Sequence, residues 1–542
     1  MPASVLIIVA LVAFGLAYRF YGGMLARRLD LSNDRPTPAH AQYDGVDYVP
    51  AKRPVLLGHH FASIAGAGPI LGPVIASAFG WVPVYLWIVL GAIFVGGVHD
   101  FGSLVASIRN RGKSIGEIVE TQVGQLGKGL FLVFCWFTLI LVVAVFTRIV
   151  ATTFVQQPEV ATASMFFVGL AVLFGLALYQ AKMPLVPATM VGVVLLGFGI
   201  WLGQVAPLRL SYEMWTLILL VYVFLASVTP VWILLQPRDY LNSYLLYALL
   251  LGGLLGTFFA APRIGMPVFT QWKVGIGPLF PILFVTVACG AISGFHSLVS
   301  SGTTAKQLDK ERDAVTVGYG AMLIEGVLAV LSIVGAASLA PGRFGELYQQ
   351  GAFATIFAES VGSFMARIPL LGISVAAAAS FAGLGVSAFV LTSLDTATRL
   401  ARFAFQEFFE LGGLSRYRIL RDRFVGSAIT VGGAWVLLQS GTAHALWPLF
   451  GSANQMLASL ALLAVTLWLR SLGIRYGVTL VPMIFMFAVT LTALGLLVGL
   501  NLERGQYLLF GVGCLLFLVA LMIAVEATRS LRRAPVEHAA SK

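Results

Sequence analysis

From Ala3 onward, apolar runs long enough to cross a bilayer alternate with short breaks rich in Gly, Pro and charge. In hydrocarbon such a run satisfies its backbone only as a helix, so the pattern predicts helices through a core of about 30 Å. Fifteen spans are predicted, near 3–22, 55–79, 82–107, 128–156, 161–180, 185–205, 214–236, 241–261, 279–303, 316–340, 370–398, 423–439, 444–470, 478–500 and 506–527. The first run, Val5 to Leu16, follows no basic residue and ends at Tyr18-Arg19-Phe20 without a small-residue cleavage site. It therefore reads as a retained span rather than a signal peptide. The largest polar segments are 27–54, 342–366 and 399–423, and none makes a soluble domain. The last mixes aromatics with Arg and reads either as an amphipathic helix on the membrane surface or as a plain connecting loop.

Composition strengthens this picture. Hydrophobic residues make up 59% of the 542, charged residues 11%, and the mean hydropathy is +0.92. The fold class expected is an all-α polytopic membrane protein of about fifteen transmembrane helices. The formal charge of +11 points away from nucleic acid, because basic residues collect in cytoplasmic loops and set orientation. With the N-terminus outside, 26 of the 34 Lys and Arg residues fall on the cytoplasmic side and 6 outside, while Arg19 and Arg148 lie within spans. The split predicts an N-terminus outside, a cytoplasmic C-terminus and an odd number of spans. Cys135, Cys289 and Cys514 are far apart in apolar runs and read as buried, inert thiols.

Rare polar residues in lipid each ask for a reason. The second span opens GHHFASIAGAGPILGPVIA, with His59 and His60 at its start and Gly66, Gly68, Pro69, Gly72 and Pro73 crowding its middle. Pro removes a backbone donor and Gly loosens the turn, so this reads as a discontinuous helix whose exposed backbone could hold ions; the alternative is a tight helix crossing through small residues. The ninth span ends GAISGFHSLVSSGTTAKQLDKE, where His296 meets Ser293, Ser297 and Ser300. Two broken helices of opposite direction are what an inverted repeat supplies. They would form a midplane substrate site from Gly66, Ala67, Gly68, Ser293, His296, Ser297 and Ser300. His59, His60 and His296 would meet there, either as polar packing or as ligands of a transition metal.

Thr392, Ser393, Asp395 and Thr396 form an oxygen cluster at the inner end of the eleventh span. Such oxygens suit Na⁺ or a proton relay, or the cluster pairs with Arg399 four residues on from Asp395. His99-Asp100 could shuttle protons or be a structural pair. Glu325 has no charged neighbour in its own span and reads, with His99 and Asp100, as a candidate for cation or proton coupling. Arg148 could bind an anion, pair with a carboxylate or snorkel outward. No Walker A, HExxH, CxxCH or GxSxG sequence occurs, which argues against ATP as energy source and against an enzyme.

The stretches RPTPAHAQYDGVDYVPAKRPVLLGHHFASIAGAGPILGPVIA, FGWVPVYLWIVLGAIFVGGVHDFGSLVASIRNRGKSIGEI, GAISGFHSLVSSGTTAKQLDKERDAVTVGYGAMLIEGVLAVL, TSLDTATRLARF and LWPLFGSANQMLASLAL resemble the carbon starvation protein A family over roughly residues 1–470. The resemblance implies a bacterial inner-membrane carrier that takes up pyruvate or short peptides. A looser likeness links FVLTSLDT to the eighth core helix of betaine/choline/carnitine transporters, which have a leucine-transporter-like five-plus-five inverted repeat. In that fold this helix and the broken first helix share a sodium site. The mapping makes 55–79, 279–303 and 370–398 the first, sixth and eighth core helices, and treats two of the six spans between the breaks as insertions. The expected organisation is an N-terminal helix and loop (1–54), a first core repeat (55–205), inserted helices (206–278), a second core repeat (279–470) and C-terminal helices with a tail (471–542).

Together these readings point to a secondary transporter for a small organic solute coupled to H⁺ or Na⁺, with membrane lipid as its surroundings and oligomeric state left open. A different reading is a membrane sensor or redox subunit using buried histidines as metal or haem ligands.

Overall fold

A computed structural model describes residues 1–532 apart from 46, 231–232 and 441–442. Residues 533–542, most of the C-terminal tail expected in the cytoplasm, and two residues of the seventh predicted span lie outside the described residues. Among those described, the one sheet is a two-residue hairpin pairing Lys273–Val274 with Gly277–Pro278. Among the described residues twelve helices are long and apolar enough to cross a membrane, and the bent pair Arg53–Ile64 with Gly68–Phe79, at 44°, makes a thirteenth if taken as one span. The other two predicted spans coincide with Tyr212–Val228, 17 residues long, and Arg423–Ser440.

Two departures from the sequence reading have local causes. The polar segment 342–366 is no simple loop but carries helices Pro341–Gln349 and Phe353–Met365. The second of these is apolar but, at 13 residues, too short to register as a span. The eleventh span continues as one helix, Val375–Phe408, taking in the first part of the segment read as loop or surface helix. The remainder forms short 3-10 turns, Gly412–Arg416 and Arg418–Arg421.

The two breaks are positioned by their small residues. The first half of the second span leaves the helix at Ala65 (φ −72°, ψ 71°), and Pro69 sits in the first turn of the second half, where its missing N–H costs nothing. The other broken segment runs Leu279–Val287, a tight turn at Ala288–Gly290, then Gly294–Gly302 after an extended Ser293. Ala288 has φ 41°, a left-handed conformation that L-residues avoid.

The broken segments lie against one another. A Cβ on Gly68 would collide with the Cys289 side chain, and one on Gly72 would come within 2.6 Å of the Val287 carbonyl oxygen. Each also packs on the helix that follows its counterpart: Gly68–Ala76 on Ala321–Ser338, and Gly294–Gly302 on Gly97–Arg109. Alongside them, the long helices Gln125–Gln156 and Val375–Phe408 pack on each other. Leu446–Ser471 is buried throughout its apolar window, whereas Leu185–Val205 exposes most of its own, including Val186, Val194 and Trp201. The former is a core helix and the latter a lipid-facing one. At one end of the bundle Glu311, 1% exposed, binds Arg109, Arg35 and the Ser32 amide, tying the segment after the first helix to the 307–313 loop.

Candidate functional site

Two buried polar clusters stand within the helices around the breaks. The first centres on Asp100, on Gly97–Arg109. Its Oδ1 lies 2.6 Å from His99 Nδ1 and its Oδ2 2.8 Å from His296 Nδ1. With Asp100 ionised, its oxygens can only accept, and both imidazoles then present Nδ1–H to it. The other nitrogen of His296, Nε2, is 3.3 Å from Glu325 Oε2 on Ala321–Ser338. All four side chains are 0% exposed. Neither Glu325 oxygen has a hydrogen bond among the described residues, and His99 Nε2 also lacks one. Two carboxylates removed from water strongly favour holding protons or a cation. Three helices thus supply a carboxylate–imidazole–carboxylate chain able to take up and pass a proton.

The same corner has metal-ligating chemistry. One ligand atom each from Cys289, His296 and Glu325 lie within 4.8 Å of one another. Asp100 holds Nδ1–H of His296, which leaves Nε2 as the ligand atom, the usual arrangement behind a metal-bound imidazole. Thiolate, imidazole and carboxylate together suit a borderline divalent ion such as Zn²⁺.

In the second cluster, the Arg238 guanidinium, 2% exposed, binds Asp395 Oδ2 through Nη1 and Asp239 Oδ1 through Nη2 at 3.1 Å. Tyr222 donates its hydroxyl to Asp395 Oδ2 at 2.6 Å. Asn242 donates to Thr392 Oγ1 at 3.3 Å, and Thr392 donates on to the Ala388 carbonyl at 2.9 Å. Ser393 Oγ has no hydrogen-bond partner among the described residues. It faces the first break, where a Cβ on Gly66 would sit 2.5 Å from it. With both acids ionised, one hydrogen-bonded guanidinium faces two carboxylates, and Arg399 is the further cation acting on Asp395.

A model of the family described as carbon starvation protein CstA matches residues 2–355 and 346–493 of the chain. Peptide transporter CstA of Escherichia coli strain K12 is 34% identical, over 90% of this chain and 80% of that protein. The chain belongs to the carbon starvation protein CstA family. The pyruvate/proton symporter BtsT of the same strain is 32% identical over 91% of this chain and 81% of its own. Among solved structures, a mutant of the manganese transporter of Eremococcus coleocola aligns over 88% of this chain and 96% of that one, at 12% identity and a TM-score of 0.46. The family and the helices together make this a multi-pass membrane transporter.

Within this family member the residues singled out from sequence separate into groups. His99, Asp100, His296 and Glu325 converge as one cluster. Gly66, Ala67 and Gly68 are buried where the two breaks meet, with Gly68 against Cys289. Ser293 is bonded to Asn454, whose Nδ2 lies 3.0 Å away. Ser297 turns back to the Gly294 carbonyl at 2.7 Å, and Ser300 Oγ is buried with no partner among the described residues. His59 and His60 stay outside the metal-ligating group: His60 Nδ1 is 2.8 Å from Thr304 Oγ1, and His59 is half-buried on the helix flank. Asp395 pairs with Arg238, not with Arg399, which donates to the Ala226 and Thr229 carbonyls.

Sequence reasoning missed Arg238, Asp239, Tyr222, Cys289 and Asn454. It counted Arg238 as a cytoplasmic loop charge, yet the helix Leu235–Ala260 begins before it and buries it. A usable signal was the adjacent Arg238-Asp239 pair leading directly into an apolar run. Cys289, read as inert, stands between Gly68 and His296.

Proposed function

We propose that the chain is a secondary active transporter, not an enzyme, that takes up pyruvate or short peptides across a bacterial inner membrane, with its N-terminus outside and its C-terminus in the cytoplasm. The observation that carries this reading is the buried Asp100–His296–Glu325 chain beside the two interlocked breaks. A proton taken up there changes the charge of the corner where both broken helices are anchored, which couples occupancy to helix position. The relatives named as a peptide transporter and a pyruvate/proton symporter support the substrate class and favour H⁺. The packing of each half-helix on its counterpart's neighbour supports a five-plus-five inverted repeat. Proteoliposomes with imposed H⁺ or Na⁺ gradients, offered labelled pyruvate and labelled dipeptides, test it. A pH gradient should drive accumulation of one solute. Asp100→Asn and Glu325→Gln should abolish that accumulation while leaving solute exchange at equal pH. Accumulation driven by neither gradient, or variants with undiminished coupling, would overturn the reading.

A second reading, a structural or regulatory divalent ion on Cys289, His296 and Glu325, is favoured by the Asp100 bond that fixes the His296 tautomer. Elemental analysis of tag-free protein decides it. About one ion per chain, lost in Cys289→Ser, supports the site, and metal-free active protein removes it.

A further inference from the structure

The far end of the helix Val375–Phe408 carries a second arginine besides Arg399. From Val375 to Arg402 the helix rises about 40 Å. That takes Arg402 past a hydrocarbon core of about 30 Å and into the headgroup layer, at the end that the basic-residue split assigns to the cytoplasm. Arg402 is 6% exposed. Its Nε is covered and has no hydrogen-bond partner, and neither Nη forms a hydrogen bond or an ion pair among the described residues. The stem packs on the helix Arg423–Ser440, where a Cβ on Gly426 would sit 3.4 Å from Arg402 Cγ. The Arg402 guanidinium lies 4.5 Å from the ring centroid of Phe403, and that of Arg423 lies 5.0 Å from the centroid of Phe424. Both rings are about half exposed, as aromatic side chains at a membrane interface are.

No negative charge answers Arg402 among the described residues. The acids near it in sequence are engaged elsewhere: Asp395 with Arg238, Glu407 with Lys128 at 3.3 Å, and Glu410 with Arg421 at 3.3 Å. Asp422 caps Arg423–Ser440, its Oδ1 accepting from the Phe424 and Val425 amides at 2.8 and 3.3 Å. The charges that act on Arg402 are those of Arg399 and Arg423, both positive. Arg399 stands three residues before it on the same helical face and is itself committed to the Ala226 and Thr229 carbonyls. Three cations thus gather where Val375–Phe408, Arg423–Ser440 and the end of Tyr212–Val228 pack together. Withdrawing a guanidinium from water without an acceptor is costly, so the arrangement calls for an anion that the described residues do not supply.

We infer that Arg402, with Arg423 beside it, holds the phosphate of an anionic phospholipid of the cytoplasmic leaflet, whose acyl chains lie over the exposed rings of Phe403 and Phe424. A guanidinium offers a planar two-point fit to phosphate oxygens, and Arg399 adds positive field from the turn below. Depth in the membrane and the exposed rings favour a lipid over a soluble phosphate. Basic pockets between transmembrane helices on the cytoplasmic side are where anionic headgroups bind. The site stands apart from the Asp100 cluster, and the inference does not depend on which solute is carried. Its link to the second cluster is Arg399, which grips the end of Tyr212–Val228, the helix whose Tyr222 donates to Asp395. A lipid seated on Arg402 would brace that junction.

The test uses full-length protein in mild detergent, titrated separately with phosphatidylglycerol, phosphatidylcholine and inorganic phosphate. Retained lipid is counted by native mass spectrometry, and the melting temperature is followed alongside. Wild-type protein should keep phosphatidylglycerol in preference to phosphatidylcholine, and its melting temperature should rise most with the former. Arg402→Gln should weaken that retention about ten- to hundredfold, the loss of one charge-assisted interaction. Arg504→Gln removes a cation that the charge split places outside and should leave retention unchanged. Arg423→Gln, at an exposed position, should weaken retention several-fold, and it decides the matter should Arg402→Gln not fold. Wild-type retention in Arg402→Gln, or in Arg423→Gln where that variant decides, overturns the inference. An equal loss in Arg504→Gln overturns it too, because the effect would then follow total charge. Stabilisation by inorganic phosphate as strong as by phosphatidylglycerol overturns the lipid as occupant and puts a soluble anion in its place.

Discussion

Arg238 is the residue whose loss should cost most, and the arrangement around it sets the size of the effect. Its guanidinium is 2% exposed and holds Asp395 and Asp239, the latter at 3.1 Å. Arg238→Met removes the cation and leaves two buried acids facing each other. Breaking a buried ion pair costs about 3–5 kcal/mol, so this variant should lose at least that range. Asp395→Asn is milder. It keeps the Arg238–Asp239 pair and an oxygen for the Tyr222 hydroxyl, so only a charge-assisted bond is lost, about 1–3 kcal/mol. The triple variant Arg238→Met, Asp239→Asn, Asp395→Asn has no buried charge left to compensate. Simple addition of costs would place it below Arg238→Met; the charge argument places it above. Equilibrium unfolding in mixed micelles, followed by tryptophan fluorescence, gives the order: wild type, Asp395→Asn, then Arg238→Met as the least stable, with the triple variant above Arg238→Met. A triple variant less stable than Arg238→Met would refute the reasoning.

Gly72→Ala should cost about 1–3 kcal/mol, because its Cβ would press on the Val287 and Thr286 carbonyl oxygens at 2.6 and 2.7 Å; Gly15→Ala, with nothing within 4 Å, should leave the melting temperature unchanged or slightly raised. Ser114→Ala removes the reciprocal cap with Glu117 at the start of Ile115–Val123 and should cost about 0.5–2 kcal/mol, read as earlier thermal unfolding. Ser393→Ala breaks no hydrogen bond among the described residues, so stability should hold within about 0.5 kcal/mol. Lost Na⁺ stimulation of uptake in that variant would make Ser393 a cation ligand, and unaltered cation dependence would remove it from the coupling site.

The membrane class was legible because apolar length is a property of each segment on its own. So were the broken helices, whose Gly and Pro residues mark a local backbone event. The partners of the polar residues were not. Asp395 has Arg399 four residues on in sequence but pairs with Arg238, 157 positions away, and only packing of Tyr212–Val228, Leu235–Ala260 and Val375–Phe408 brings the group together. Asp100, His296 and Glu325 were each visible as costly intramembrane groups, yet their convergence needed three helices to meet. The short helix Phe353–Met365 hid because a half-length apolar run beside Arg and Glu resembles a loop. Arg238 hid for the opposite reason, since a charge at the edge of an apolar run is ordinarily a loop charge.

The close fit between the breaks bears on how the molecule can move. Gly68 has no room beyond Cys289, and Gly72 none beyond the Val287 carbonyl. Neither segment can slide along the other without first separating, and separation would strip packing from both. The two breaks are therefore expected to move together. The opening and closing stroke then falls where those segments meet their neighbours, among them Val375–Phe408, although that contact too is close, since a Cβ on Gly66 would sit 2.5 Å from Ser393 Oγ. Ser393, on that helix and facing Gly66 across that boundary, sits where the stroke would be felt first.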